Sequence, residues 1–259
     1  MHIYERFIEI LILLWGLCIG SFLNVCIFRL PASQSLIHPR STCPRCHTPI
    51  KFYDNIPVVS YVVLRGRCRH CGQPIALRYP LVELLTGFFA LAAYLKFGPT
   101  WATLVYFVFI AALLVITFID LDHRIIPDLI SLPGIPIFFA ASWIIPQMTW
   151  FDSLVGIIVG GGSLLTVAWV YKLITHKDGM GGGDIKLLAM IGALVGWQGV
   201  LMTIFVASAT GTLAGFLHML QARQRNMKLA IPFGPFLATG ALVYIFWGEQ
   251  LIRWYINTL

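Results

Sequence analysis

Apolar residues in this chain come in long blocks, without the strict alternation of strands or the narrow stripe of a soluble helix. The blocks run near 5–29, 80–96, 101–120, 128–147, 152–173, 185–198, 200–221 and 232–257. Most are roughly twenty residues long, enough for a helix to cross a hydrocarbon core of ~30 Å. The sixth is short for a full crossing, so it is expected to tilt or break. The first block continues into Phe28-Arg29 with no short basic leader and no small-residue cleavage site, so it is expected to stay as a helix. No internal repeat interrupts the series. Only 31–79 is polar over a length that suits a small domain outside the membrane. The pattern predicts an all-α polytopic membrane protein with about eight transmembrane helices. Its parts are a first helix over 1–30, a small cytoplasmic domain over 31–79, and a seven-helix membrane domain over 80–259.

Composition agrees. The chain is 58% hydrophobic and 11% charged, outside the range of ordinary soluble domains. The net charge of +7 is distributed in a way that points away from nucleic acid. Arg29, Arg40, Arg45, Lys51, Arg65, Arg67, Arg69 and Arg78 lie after the first block. Arg124 follows the third, Lys172, Lys177 and Lys186 lie between the fifth and sixth, and Arg223, Arg225 and Lys228 follow the seventh. The alternate connections, 97–100, 147–151 and 198–199, hold no Lys or Arg. Positive loops stay in the cytoplasm. The 31–79 segment is therefore expected on the cytoplasmic side and both termini on the other. The sequence sets no oligomeric state.

The polar segment carries Cys43-Pro-Arg-Cys46 and Cys68-Arg-His-Cys71. Two Cys-x2-Cys knuckles supply four thiolates for a tetrahedral zinc ion, a closed and therefore structural site. Disulfides are disfavoured in a reducing compartment, and nearby arginines are expected to help keep the thiols deprotonated. His47 and His70 flank the ligands without joining them. Cys18 and Cys26, inside the first block, read as packing residues.

Other polar groups sit at the ends of apolar blocks. Gly20 and Ser21 permit close helix packing. Asn24 needs an internal partner at membrane depth, and Arg29 is placed to snorkel towards headgroups. Glu83, read as lying in the first turn of the second helix, is either an end charge paired with Arg78 or a carboxylate facing a shared cavity.

Phe118-Ile-Asp-Leu-Asp-His-Arg-Ile-Ile-Pro-Asp128 closes the third block, and Gly179-Met-Gly-Gly-Gly-Asp-Ile-Lys186 opens the sixth. By the charge pattern, Asp120 and Asp184 share the cytoplasmic face. Asp184 alone reads equally as a solvated aspartate at a helix start. Asp120, directly after Ile119, is the most apolar-embedded acid; Asp122 reads as an interfacial charge and Asp128 as a helix cap after Pro127. Two carboxylates held close share a proton, so one activates water while the other protonates the carbonyl. A transporter relaying protons through the same pair and a zinc-stabilised scaffold without chemistry are the other classes open at this point.

The motifs GSFLNVCIFRLP (20–31), YDNIPVVSY (53–61), RYPLVELLTG (78–87), FIDLDHRIIPD (118–128), GMGGGDIK (179–186) and IPFGPFLATG (231–240), with the two Cys knuckles, cover nearly the whole chain. In them the chain resembles the type IV prepilin peptidases, bifunctional leader peptidases and N-methyltransferases of pilus and type II secretion systems. The resemblance implies Asp120 and Asp184 as the catalytic pair. It implies prepilin and pseudopilin substrates cut after the glycine ending a basic leader, at the cytoplasmic face of the bacterial inner membrane. It also implies methylation of the new N-terminus, usually phenylalanine, with S-adenosylmethionine as donor. Substrate and methyl donor are then expected around Asn24, Arg29 and Glu83 and along Gly181, Gly183 and Lys186. Residues 231–236 are expected to form an apolar wall beside the aspartates.

Overall fold

The structure is a computed structural model that describes residues 2–38, 40–177, 181–221 and 232–258. Gly179 and Met180 of the glycine run, the basic loop with Arg223, Arg225 and Lys228, and Ile231 lie outside the described residues. The described residues form eight α-helices in order: α1 (His2–Arg29), α2 (Val59–Val63), α3 (Arg78–Phe97), α4 (Trp101–His123), α5 (Asp128–Ala141), α6 (Trp150–Thr175), α7 (Gly182–Gln221) and α8 (Gly234–Thr258). The described residues form no strand. Two isolated antiparallel bridges, Thr42 with Pro49 and Arg67 with Pro74, are the only extended pairings among them.

Among the described residues, five helices are long and apolar enough to cross a membrane: Tyr4–Arg29, Arg78–Phe97, Trp101–His123, Trp150–Thr175 and Gly182–Leu220. Large apolar side chains point outward from them, among them Phe7, Ile10, Phe22, Ile158, Trp169 and Phe205. In water such a surface would be a liability; in lipid it is the expected exterior.

Three blocks depart from expectation. The fourth, predicted over 128–147, is helical only to Ala141. Pro146 follows Ile145, and a residue before proline is pushed out of the helical region. Fourteen residues span roughly 21 Å at 1.5 Å each. The sixth and seventh blocks form one helical stretch, broken at Gly196, where φ is 68° and ψ −180°. This backbone conformation is open to glycine and closed to most other residues. It divides α7 into limbs over 182–195 and 197–221.

The chain divides into two compact units, Met1–Val115 and Ile116–Leu259. In the first, α1 and α3 pack through small residues. A β-carbon on Gly16 would lie 2.8 Å from the Gly87 backbone, and one on Gly20 would lie 2.6 Å from that of Glu83. Helices this close are held by dispersion and not by the hydrophobic effect, which lipid removes.

In the second unit, α6 presses equally close on the first limb of α7. A β-carbon on Gly156 would fall 2.2 Å from the Gly192 carbonyl oxygen, and one on Gly160 2.4 Å from that of Leu188. The Ser153 hydroxyl donates to the Ala193 carbonyl at 2.6 Å. Leu187, Leu188, Met190, Ile191 and Leu194 are all buried. The limb that begins beside Asp184 is thus the core of its unit, a rigid platform for its first turn.

Candidate functional site

In the second unit, Asp120 lies on the last turn of α4 and is only 4% exposed. Its Oδ2 accepts the Gly234 backbone N–H at 3.0 Å. Gly234 opens α8, and its N–H is one of the donors that a helix start leaves without an intrahelical partner. A carboxylate there also meets the positive end of the helix dipole. Asp184 is the third residue of α7. Its backbone N–H donates to the Gly181 carbonyl at 3.2 Å, and it lies close enough to Asp120 for the two charges to interact. The structure therefore brings the two expected aspartates together.

Glycine makes that approach possible. A β-carbon on Gly183 would sit 2.9 Å from Ile126 Cβ, and one on Gly234 3.5 Å from Ile126 Cδ1 and 2.6 Å from Asp120 Oδ2. Ile126 is thus wedged between the two glycine backbones. Gly181 is exposed. Lys186 ties α7 to α5 instead of facing open space: its Nζ donates to both oxygens of Asp128 at 2.8 Å. The cap of α5 is Pro127, so Asp128 is its first helical residue and an ion-pair partner, not the cap expected from sequence.

In the first unit, Asn24 Nδ2 donates to the Tyr79 carbonyl at 3.0 Å. Arg29 is buried, and its Nη1 donates to the Ser35 carbonyl at 2.8 Å, so it folds back on the loop and does not snorkel. Cys26 is buried, but Cys18 is exposed on α1, against its expected packing role. Glu83 lies in the second turn of α3, not the first, because the helix already begins at Arg78 with Pro80 in its opening turn. Its carboxylate accepts the Val58 N–H at 2.7 Å, and the Ser21 hydroxyl also reaches it. Val58 has φ 61° and ψ −47°, with the Val59 N–H donating to the Pro57 carbonyl at 2.6 Å. That is a strained γ-turn, unusual for a β-branched residue. Glu83 thus pins a tight turn of the 31–79 segment to α3.

The four knuckle cysteines converge, with all their sulfurs within 4.8 Å of one another and Cys43 and Cys71 at 3.9 Å. Bonds of 2.3 Å from sulfur to a tetrahedral ion set sulfur–sulfur edges of about 3.8 Å, so the donor set fits. The knuckles share one plan. The His47 N–H bonds the Cys43 carbonyl and the Gly72 N–H bonds the Cys68 carbonyl, both at 2.9 Å. His47 and Gly72 both have positive φ, 56° and 70°.

Hydrogen bonds from Thr48, through its hydroxyl and then its backbone, hold the Cys46 thiol down at about 6. The Gln73 backbone pulls the Cys71 thiol down, yet loss of water and the neighbouring sulfurs carry it up to about 11. Bonds from the Cys71 and His70 backbones lower Cys68. The stabilising groups are thus the knuckles' own donors, not the arginines expected from sequence. The four sulfurs could together hold a cation, whose binding would favour the thiolate form of each.

Sequence reasoning missed the Gly234 donor, the Ile126 wedge and the Val58 turn. The Pro-Phe-Gly-Pro stretch at 232–235 was the available sign of the first.

Residues 14–97 match the family model "Bacterial Peptidase A24 N-terminal domain", and residues 107–216 match "Type IV leader peptidase family". The chain is similar to a prepilin leader peptidase/N-methyltransferase of Aeromonas hydrophila, 37% identical over 95% of this chain and 93% of that protein. One from Pseudomonas aeruginosa is 38% identical over 95% of this chain and 92% of the relative. One from Myxococcus xanthus is 42% identical over 79% of this chain and 61% of its own length. No solved structure matches.

Proposed function

Since the chain belongs to the family of prepilin leader peptidase/N-methyltransferases, we propose that it removes prepilin leaders with Asp120 and Asp184 and then methylates the exposed N-terminus. The observation that carries the reading is the buried Asp120, held by the first N–H of α8 with Asp184 in electrostatic reach. One carboxylate takes a proton from water as it attacks the scissile carbonyl, and the other delivers a proton to the carbonyl oxygen. The water's oxygen becomes part of the new carboxyl group, and the amine leaves as the mature N-terminus. That amine is the acceptor for the methyl group of S-adenosylmethionine. Asn24, Arg29 and Glu83 are the groups proposed to face the donor; Gly181, Gly183 and Lys186 shape the approach to Asp184.

Eight crossings are supported by the two limbs of α7 and by α5 and α8 as the remaining apolar helices. The positive loops favour the inner membrane with the aspartates at the cytoplasmic face. The division into 1–30, 31–79 and 80–259 stands on the same charge and composition pattern. Zinc is the ion best suited to four cysteine sulfurs, and it would brace the 31–79 segment without taking part in the chemistry.

Mass spectrometry of a prepilin incubated with purified enzyme, with and without S-adenosylmethionine, tests both activities at once. The expected product has lost its leader and gains one methyl group only when the donor is present. An intact prepilin in every sample refutes the reading. The Gly234 contact makes a further prediction. In Gly234→Ala a β-carbon would stand 2.6 Å from Asp120 Oδ2, so the carboxylate must move. A displacement of ~1 Å costs on the order of 10²-fold in rate, and kcat for leader removal measures it.

A further inference from the structure

A cavity of about 340 Å³ lies between the second limb of α7 and the start of α8, lined by Ser208, Gly211, Thr212, Phe233 and Phe236. Ser208, Gly211 and Thr212 fall at i, i+3 and i+4, so they share one face of α7. The two phenylalanines bracket Gly234, the residue whose N–H holds Asp120. Adjacent Cα atoms are about 3.8 Å apart, which puts Phe233 one residue step from the backbone touching the carboxylate. Its carbonyl accepts the Phe236 N–H at 3.1 Å and the Leu237 N–H at 3.2 Å. Both rings therefore stand on a formed helix start, stiffened by Pro235.

Among the described residues the lining has two aromatic rings, a glycine and two hydroxyls, and no charged side chain. It suits an apolar guest better than a lysine or arginine, whose charge would find no opposite charge among these residues. A cavity of roughly 150 Å³ already admits a benzene-sized ligand, so this one holds an aromatic or branched side chain together with part of its backbone. Ser208 and Thr212 are exposed, and the neighbouring Phe205, Leu213 and Phe216 point outward. The cavity thus opens on the surface that meets lipid. A guest arriving that way comes from within the bilayer. The hydroxyls at the mouth offer partners to the backbone groups of a segment that must unwind to be cut.

We infer that this cavity is a substrate subsite: it seats one apolar side chain from the membrane-embedded part of the prepilin, within about a turn of the bond cut at Asp120 and Asp184. The inference rests on the proposed peptidase reading and adds where the enzyme grips its substrate. Gly211 sets the depth. A β-carbon there would meet Phe236 Cδ2 at 3.5 Å, an ordinary contact, so alanine is accommodated while a longer side chain occupies the cavity.

The test uses full-length enzyme in detergent–lipid micelles and a prepilin carrying a photo-reactive benzoylphenylalanine at one position at a time on either side of the cut. With the Asp120→Asn enzyme, which holds substrate without cutting it, one position in the first turn of the mature part is expected to cross-link to the peptide containing Phe233 and Phe236 or to that containing Ser208–Thr212. Gly211→Leu is expected to raise KM at least ten-fold with a smaller change in kcat. Alanine at the cross-linking position of the substrate should restore much of the loss. Should Gly211→Leu fail to accumulate, Phe236→Ala enlarges the same cavity and is expected to favour a tryptophan at that position over the native residue. Cross-links only from the leader side, or an unchanged KM and unchanged size preference in whichever variant accumulates, overturn the subsite; a lipid acyl chain as occupant gives that result. Failure of the peptidase reading looks different, because wild-type enzyme would then leave the prepilin uncut or the Asp120→Asn enzyme would cut it.

Discussion

Replacing Asp120 or Asp184 with asparagine is expected to abolish leader removal while the protein remains folded in the membrane. Asparagine keeps the shape of the side chain, and its carbonyl oxygen can still accept the Gly234 N–H that Asp120 accepts at 3.0 Å. What disappears is the ability to take up or deliver a proton. One positioned acid or base supplies typically 10²–10⁴-fold, and a pair that works as a unit loses most of its effect with either member. Each single variant should therefore fall by at least about 10³-fold, and the double variant should be no slower than the worse single one. Cleavage assays on purified enzyme measure the rates. Thermal unfolding of the same preparations shows whether the fold survived. Full processing by either variant would remove the aspartates from the chemistry and reopen the proton-relay and scaffold readings. Methylation of an already mature pilin should persist in both variants, because Asn24, Arg29 and Glu83, the groups proposed to face the methyl donor, belong to the other compact unit.

The sequence exposed the features that lipid imposes and hid those that depend on distant contacts. Runs of apolar residues located α1, α3, α4 and α6 to within a few residues, because a membrane helix must satisfy its own backbone and present apolar side chains all round. The end of α5 at Ala141 was harder to read: Ile145 and Pro146 look like any apolar run by composition, and the stop is a backbone effect. The break of α7 was expected near 198–199, where the apolar block thins, but it falls at Gly196 because a positive φ needs a glycine.

The two aspartates were legible as a pair through charge alternation. Their surroundings were not. Asp120 and Gly234 are separated by 114 residues, and no local pattern records that an N–H at one helix start will complete a side chain at another helix end. Glu83 and Val58, 25 residues apart, are hidden for the same reason. Lys186 and Asp128 were both singled out, yet their ion pair could be seen only once α5 and α7 were packed.

The cysteine knuckles were the most local signal of all, and they carry the second large expected effect. Purified protein should hold about one zinc ion per chain, and the Cys43→Ser, Cys68→Ser variant should hold none, because each knuckle then offers one sulfur where a tetrahedral site needs two. Cys18→Ser and Cys26→Ser should leave the zinc content unchanged, since both residues lie on α1, outside the four-sulfur cluster. The structural consequence follows from how little secondary structure holds residues 30–77: a short 3-10 helix at Phe52–Asp54, the five-residue α2 and two isolated bridges, joined by the Arg69–Asp54 ion pair, the Arg29–Ser35 and Tyr61–Ile75 bonds and the Glu83 contact. Structural zinc contributes roughly 10–16 kcal/mol in small domains at neutral pH, far more than one buried hydrogen bond of about 1 kcal/mol. The ligand variant, or wild-type protein stripped by a chelator, should become sensitive to limited proteolysis between α1 and α3 while the helices of the second unit stay protected. Because metal binding displaces protons from the thiols, the same loss should come more readily as pH falls. Zinc content unchanged in the double variant would show that these sulfurs are not the ligands. Zinc lost without new cleavage between α1 and α3 would show instead that the turn pinned by Glu83 at Val58 holds the segment without the metal.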